Sequence, residues 1–201
     1  MNIGMTSENV AGEAPDRRGR SKPCVFLDRD GVINHDSADY IKSLEEFVPI
    51  EGSYEAIARL NRAGRMVIVI TNQSAVGRGI IDGSTLERIH DRLRQDVEMA
   101  GGHITDIRFC PHRPDEKCRC RKPEPGMLLE AAARHGIDLS RSVMVGDSAK
   151  DIECGIRAGC KTVLVLSGNG SQALESLRNR GIGPDAVFPS LRDAVHWIIR
   201  Q

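Results

Sequence analysis

The chain has 201 residues, and its 28 lysines and arginines balance 28 aspartates and glutamates, so the formal net charge is zero. This length is typical of one domain. Proteins that act on nucleic acid usually carry a basic excess, so the charge balance argues against a DNA or RNA partner. The apolar runs span only a few residues, whereas a membrane helix needs about 20. The N-terminal segment lacks the apolar stretch of a secretory signal. We therefore expect a cytoplasmic protein with no membrane partner.

The N-terminal segment, residues 1–22, differs in composition from the rest of the chain. It is polar and glycine-rich, it shows no hydrophobic periodicity, and it ends in a basic run from residue 17 to 22. These features predict a disordered tail, followed by a single domain over residues 23 to 201.

Five short apolar runs lie in the predicted domain, and helical patterns separate them. Continuous apolar runs of this length are typical of strands that are buried on both faces of a parallel sheet. The runs cover residues 24–27, 66–70, 107–110, 143–145 and 162–166. The helical patterns lie around residues 54–60, 86–100, 127–132 and 152–156. Ser84 and Glu87 predict a capping box at the start of the second of these helices. This alternation predicts an α/β fold with a doubly wound parallel sheet.

Polar side chains follow the predicted strands. In an open parallel sheet, ligands bind beyond the carboxyl ends of the strands. Asp28 and Asp30 follow the first run, Asp147 follows the fourth, and Lys122 lies just before a helix. The second run leads into Thr71, whose hydroxyl can contact an anionic oxygen.

This combination of residues has a specific chemistry. Three crowded carboxylates require a cation, and Mg²⁺ prefers oxygen ligands. An ionised aspartate beside that ion can attack an electrophile, while a lysine and a hydroxyl hold phosphoryl oxygens. The sequence therefore predicts phosphoryl transfer to an aspartate.

Four potential zinc ligands lie close together in the chain. They are Cys110, His112, Cys118 and Cys120. Three thiols and one imidazole form a closed tetrahedral ligand set, which is typical of structural Zn²⁺. We expect this zinc loop, residues 110–120, to position the neighbouring basic pair that ends at Lys122. The other cysteines, at positions 24, 154 and 160, are predicted to be buried apolar residues.

The segment 28–32, which reads Asp-Arg-Asp-Gly-Val, resembles the DxDG[TV] signature of the haloacid dehalogenase (HAD) superfamily of phosphatases. The resemblance implies that Asp28 is the nucleophile and that Asp30 is the general acid and base. It also implies that Mg²⁺ is held by Asp28, Asp147 and the backbone carbonyl of Asp30. Thr71 and Lys122 would stabilise the phosphoryl group. Asp151 has two open interpretations, a carboxylate that supports the site or an exposed helix residue.

The zinc loop and the segment that begins Thr-Asn-Gln-Ser resemble the zinc-containing branch of this superfamily, which includes heptose bisphosphate phosphatases and histidinol phosphatases. The stretch between the first two motifs, from Asp30 to Thr71, is too short for a large cap domain, so we expect a capless core. The resemblance favours the heptose enzymes and implies a sugar bisphosphate as the substrate, in the biosynthesis of nucleotide-activated heptose for lipopolysaccharide or glycoprotein. The implied substrate contacts are Asp36, Ser37, Ala38, Asp39, Thr71, Asn72, Gln73, Ser74, Arg121 and Lys122.

Three alternatives remain. Histidinol phosphatase shares the core chemistry and differs in the substrate loops. A nucleic-acid 3′-phosphatase shares the core, but the zero net charge and 3% aromatic residues argue against it. A non-catalytic zinc-bearing interaction domain would not need the predicted catalytic side chains. No long exposed apolar stripe is present, so we expect a monomer.

Overall fold

A computed structural model describes residues 22–201. Nearly all of the predicted disordered tail therefore lies outside the described residues. Its last residue, Lys22, donates a backbone hydrogen bond to Gly136 at 3.0 Å. The strands are β1 (Cys24–Leu27), β2 (Met66–Asn72), β3 (Asp106–Cys110), β4 (Val143–Gly146), β5 (Lys161–Val165) and β6 (Ala186–Phe188). The helices are α1 (Ser53–Arg62), α2 (Ser74–Gly77), α3 (Gly83–Met99), α4 (Gly126–His135), α5 (Ala149–Ala158), α6 (Gly170–Asn179) and α7 (Leu191–Ile199).

The six strands form one parallel sheet in the order β3-β2-β1-β4-β5-β6. The chain winds outward from β1 in one direction and then, from β4, in the other. This arrangement confirms the predicted doubly wound α/β fold. It places the carboxyl ends of the adjacent strands β1 and β4 at the point where the winding direction reverses, which is where such sheets bind ligands.

Both faces of the inner strands are covered, which explains why β1, β2, β4 and β5 are largely apolar. Successive side chains of a strand point to opposite faces. In β1, Val25 and Leu27 belong to the core that includes residues of α1, α3 and α7, whereas Cys24 and Phe26 belong to the core that includes residues of α4 and α5. The cysteines at positions 24, 154 and 160 are buried, as predicted.

Two local expectations need correction. Helix α3 begins at Gly83, and the Asp82 side chain caps it by accepting a hydrogen bond from the Thr85 amide at 2.7 Å. The expected capping box is therefore wrong, because Ser84 already lies inside the first turn. Helix α5 contains the expected pattern, but Ile156 is 48% exposed. The helix packs on the sheet through Gly155 instead, where an added Cβ would contact Met144 and Thr162.

No cap domain covers the core within residues 22–201. The connection between β1 and α1, residues 28–52, contains only isolated bridges, such as that between Asp30 and Asn34. The capless prediction is confirmed. Among the described residues, no helix is both long and apolar enough to cross a membrane.

Candidate active site

Lys122 lies at the centre of the predicted site. Its side chain is 2% exposed, and its Nζ atom donates to the Ile70 carbonyl at 2.8 Å. The same atom lies 2.8 Å from Asp28 Oδ2 and 2.6 Å from Asp151 Oδ1. Burial opposes the charged ammonium, but the two carboxylates outweigh that effect and raise the pKa of Lys122. The lysine is therefore a permanent cation beside Asp28.

Asp151 is a fully buried member of the site, which resolves the ambiguity that the sequence left. Its second oxygen, Oδ2, accepts hydrogen bonds from the Ser148 amide at 3.0 Å and the Ser148 hydroxyl at 2.6 Å. These contacts cap α5 and hold the carboxylate against Lys122.

Three carboxylates form a cluster that could hold a cation. Donor oxygens of Asp28, Asp147 and Asp151 lie within 4.8 Å of one another. Burial and the charge of Asp151 raise the pKa of Asp28 well above its usual range. Burial and the same charge raise the pKa of Asp147 to about 7. Three carboxylates face the single ammonium group of Lys122, and a divalent cation would supply the charge that balances them.

The Asp147 carboxylate packs closely against the backbone of two loops. Its Oδ2 atom accepts a hydrogen bond from the Asn169 amide at 2.8 Å. Gly31 and Gly168 both have positive φ, at 78° and 80°, and a Cβ on either would collide with the Asp147 carboxylate. The Ser167 hydroxyl joins these two loops by donating to the Gly31 carbonyl at 2.8 Å. The loop after β5 is thus part of the site.

Asp30 lies in a separate network that the sequence did not reveal. Its carboxylate accepts hydrogen bonds from Arg29 Nη2 at 2.8 Å, Asn34 Nδ2 at 2.8 Å and Gln73 Nε2 at 2.8 Å. Burial favours the neutral acid, but Arg29 and the two amides prevail and lower the pKa of Asp30. Arg29 itself is fully buried, with Nη1 3.5 Å from His90 Nε2. A buried arginine inside the motif carried no periodic signal in the sequence.

The end of β2 supplies three more predicted residues. The buried Thr71 hydroxyl accepts a hydrogen bond from Gln73 Nε2 at 2.9 Å. The Asn72 side chain pairs with the Lys122 backbone, since Nδ2 donates to its carbonyl at 3.2 Å and Oδ1 accepts from its amide at 3.1 Å. Ser74 is buried at the start of α2. The end of β2 therefore positions the backbone of the loop that carries Lys122.

A cavity of about 300 Å³ opens beside Asp30. It gathers several of the predicted substrate contacts, and the Asp36 carboxylate accepts a hydrogen bond from Asn169 Nδ2 at 2.9 Å. Ala38 and Asp39 are exposed and are not among the lining residues, so the structure does not bring these two to the cavity. The lining residues are Asp30, Asp36, Ser37, Tyr40, Ile41, Asn72, Gln73, Ser74, Arg78, Pro114 and Arg121.

The Cys–His cluster converges as predicted. The sulfurs of Cys110, Cys118 and Cys120 are 3.3 to 3.5 Å apart, and His112 Nδ1 lies 3.5 Å from Cys110 Sγ and 3.3 Å from Cys120 Sγ. A tetrahedral zinc with Zn–S bonds of about 2.3 Å requires sulfurs about 3.8 Å apart, so small outward shifts would admit the ion. The loop reaches the active site through Arg121, whose Nη1 donates to the His112 carbonyl at 3.1 Å.

Comparisons with known proteins identify the family of the chain. Residues 119–194 match the HAD-hydrolase-like family model. The chain is 51% identical, over 77% of its length and 86% of the relative, to the D-glycero-β-D-manno-heptose-1,7-bisphosphate 7-phosphatase of Pseudomonas aeruginosa. It is 40% identical to the enzyme of the same name from Neisseria meningitidis, over 88% of this chain and 95% of that one.

Two solved structures have the same fold. The D,D-heptose 1,7-bisphosphate phosphatase of Bordetella bronchiseptica, complexed with magnesium and phosphate, has a TM-score of 0.83 and 39% identity, covering 89% of this chain and 98% of that one. The Burkholderia thailandensis phosphatase has a TM-score of 0.69 and 35% identity, covering 90% and 100%. These relatives, together with the shared fold, show that the chain belongs to the D-glycero-D-manno-heptose-1,7-bisphosphate 7-phosphatase family, phosphoric monoester hydrolases of the haloacid dehalogenase superfamily.

Proposed function

We propose that this chain hydrolyses the C7 phosphate of D-glycero-β-D-manno-heptose 1,7-bisphosphate, in the biosynthesis of nucleotide-activated heptose. The observation that carries the proposal is the contact of 2.8 Å between Asp28 and the buried cation of Lys122, beside a cavity lined by polar side chains. Most of the similar relatives are named for the β anomer, which supports that choice. We favour the heptose bisphosphate over histidinol phosphate as the substrate because these relatives are named for the heptose bisphosphate.

In the first step, an Asp28 carboxylate oxygen forms a bond to phosphorus, and the bond between phosphorus and the C7 oxygen breaks. Asp30 gives its proton to the leaving oxygen. In the second step, Asp30 takes a proton from water as the water attacks the aspartyl-phosphate, which releases phosphate and restores Asp28. Gln73 Nε2 and Arg29 Nη2 both donate to Asp30 Oδ2, at 2.8 and 3.0 Å, so we propose that substrate draws both donors away from this oxygen and allows Asp30 to carry a proton.

Lys122 and Thr71 hold the negative charge that develops on the phosphoryl oxygens. The ammonium is already oriented by the Ile70 carbonyl and Asp151, so it needs little reorganisation during the reaction. Thr71 exchanges its present contact with Gln73 for a phosphoryl oxygen.

The carboxylate cluster fits a magnesium ion. Asp28, Asp147 and the backbone carbonyl of Asp30 would hold it, while Asp151 stays committed to Lys122 and Ser148. Mg²⁺, when bound, neutralises charge on the phosphoryl oxygens and keeps the Asp28 carboxylate ionised.

The Cys–His cluster fits a structural zinc ion. Its four ligands leave no open coordination position, so we assign it no chemical step. The loop that it stabilises carries Arg121, which we propose as a contact to the sugar or its second phosphate.

The decisive experiment measures phosphate release with Mg²⁺ from both anomers of heptose 1,7-bisphosphate, with histidinol phosphate in parallel. We expect the highest kcat/KM with the β anomer. A higher kcat/KM for histidinol phosphate would overturn the substrate assignment. The Asp28→Asn variant serves as the control, since it keeps the shape but removes the nucleophile, and measurable turnover by it would overturn the aspartyl-phosphate route.

We further propose that the protein is a cytoplasmic monomer. Light scattering after size exclusion should give the mass of a single chain, and twice that mass would contradict the monomer.

A further inference from the structure

Arg29 is a buried cation whose side chain joins the proposed general acid, Asp30, to a histidine of helix α3. Its Nε and Nη2 atoms donate to Asp30 Oδ1 at 3.0 and 2.8 Å, and Asn34 Nδ2 donates to the same oxygen at 2.8 Å. The other oxygen, Oδ2, accepts from Gln73 Nε2 at 2.8 Å and from Arg29 Nη2 at 3.0 Å. Three donors therefore hold Oδ1, which leaves Oδ2 as the oxygen that carries the proton.

The remaining nitrogen of the guanidinium group, Nη1, is held by His90. It lies 3.5 Å from His90 Nε2, and both side chains are buried. Burial and the charge of Arg29 lower the pKa of His90 to about 3, so the ring is neutral and Nε2 can accept a hydrogen bond from the guanidinium. The ring of Phe47, whose centroid is 5.9 Å from Arg29 Cζ, adds a cation–π contact. The guanidinium is thus oriented by partners other than Asp30.

His90 occupies a position where an apolar side chain would be expected. It lies four residues after Leu86 and three before Leu93, on the buried face of α3. Its ring packs against Phe109, with the two centroids 5.7 Å apart. A leucine would fill such a position without the cost of burying polar ring nitrogens. The contact with Arg29 is the observation that accounts for a histidine here.

We propose that His90 is a positioning residue for general acid catalysis, because its contact with Arg29 aligns the guanidinium that holds Oδ1 of Asp30. Asp30 Oδ2 then faces the leaving oxygen in the geometry that proton transfer requires. His90 does not line the cavity beside Asp30, so it acts through Arg29 and contacts no reacting atom. This inference rests on the proposed function, because it assumes that Asp30 protonates the leaving oxygen.

The chemistry of the leaving group distinguishes this role from a general effect on the active site. A sugar alkoxide is a poor leaving group and departs with the proton that Asp30 gives it, whereas p-nitrophenolate is stable enough to depart without a proton. The ratio kcat/KM includes only the steps up to release of the leaving group. A misplaced Asp30 therefore lowers kcat/KM for a sugar phosphate and leaves that for p-nitrophenyl phosphate unchanged. Damage to Asp28 or to the metal site would lower both.

The experiment measures kcat/KM for heptose 1,7-bisphosphate and for p-nitrophenyl phosphate. His90→Leu removes the acceptor, and we expect a loss of at least about tenfold with the heptose substrate and a change of less than about twofold with the aryl phosphate. His90→Gln places an amide oxygen near the position of Nε2, so it should keep most of the activity with the heptose substrate. The control, Ile89→Val, changes a buried neighbour on the same helix and should leave both values close to those of the wild type.

A second variant covers the case that His90→Leu does not fold. His90→Asn keeps a polar amide, but its side chain is one methylene shorter than that of glutamine and falls short of Arg29. We expect the same selective loss with the heptose substrate.

Four results would overturn the inference. Equal losses with both substrates would indicate a structural role for His90, and unchanged values with both would remove it from catalysis. A His90→Gln variant as impaired as His90→Leu would show that the hydrogen bond is not the cause. A selective loss in Ile89→Val would assign the effect to helix packing. Failure of the proposed function would look different, because the wild-type protein would then release no phosphate from heptose 1,7-bisphosphate.

Discussion

Asp151 and Lys122 form an ion pair with 2.6 Å between Oδ1 and Nζ, and both side chains are almost completely buried. The same ammonium group contacts Asp28 at 2.8 Å. Asp151 therefore has a charge that acts on the proposed nucleophile through the lysine. It keeps Lys122 charged and oriented. Without Asp151, the ammonium group would pair with Asp28 alone.

Replacing Asp151 by asparagine should damage both stability and activity. Lys122 keeps Asp28 as its partner and loses one buried, charge-assisted contact, so we expect a loss on the order of 2 kcal/mol in the free energy of unfolding. We also expect kcat to fall at least about tenfold, because a misplaced Lys122 stabilises the phosphoryl oxygens less well. Urea unfolding and steady-state kinetics measure the two effects.

The matched control for Asp151→Asn is Glu153→Gln on the same helix. Glu153 is partly exposed and pairs at 2.8 Å with Arg180, whose side chain is 45% exposed, and ion pairs open to solvent contribute at most about 1 kcal/mol. Equal stability losses in the two variants would contradict the role of Asp151.

Gly31→Ala should weaken magnesium binding. Gly31 has a φ of 78°, and a Cβ there would collide with the Asp147 carboxylate. We expect the magnesium concentration for half-maximal activity to rise at least about tenfold, because a bound Mg²⁺ depends on exact ligand geometry.

Gly64→Ala is the control for Gly31→Ala. Gly64 has a φ of 75° but nothing within 4 Å of an added Cβ. Both variants incur the strain of a left-handed backbone, roughly 1 to 2 kcal/mol, so only the contact with Asp147 separates them. A similar change in magnesium dependence for both variants would contradict the claim that Gly31 positions the Asp147 carboxylate.

Cys118→Ser should abolish tight zinc binding. The purified wild-type protein should contain one zinc per chain by elemental analysis, and the variant should contain almost none. We expect a lower melting temperature and weaker turnover, because the loop that positions Arg121 loses its anchor. Cys160→Ser alters a buried cysteine outside the cluster and should retain the metal. Full zinc content in the Cys118 variant would reject the assignment.

His90 should make the protein sensitive to mild acid. Burial, with added repulsion from Arg29, lowers the pKa of His90 from 6.5 to about 3. The folded protein therefore keeps the ring neutral while the unfolded chain takes up a proton below pH 6.5. The stabilising contribution is complete above pH 6.5 and falls by up to about 1.4 kcal/mol per pH unit as the pH drops toward 3.

Urea unfolding at several pH values tests the effect of His90. Between pH 6.5 and 4, the free energy of unfolding should fall less steeply with decreasing pH in His90→Gln than in the wild-type protein. His103→Gln provides the control, because His103 is exposed in the folded protein. An unchanged slope in the His90 variant would contradict the prediction.

Much of the fold was predictable from the sequence because its signals are local. Each of the five runs corresponds to a strand. The four inner strands are buried on both faces and are therefore largely apolar, whereas the edge strand β3 is only partly buried. Strand β6 and helices α2, α6 and α7 were not predicted. Strand β6 is short, and its burial is partial, so its pattern is too weak to recognise.

The features of the site also fall into those that were predictable from the sequence and those that were not. The sequence by itself determined which chemical groups follow each strand, because the chain order fixes the residue at each strand end, as for Asp28 and Asp147. Only the tertiary structure decided that Gln73 donates to Asp30, that Asp151 faces Lys122 and that Asp39 lies apart from the cavity. These relationships depend on packing between segments that are distant in the chain, where the energy of burial selects one arrangement from many that local sequence would permit.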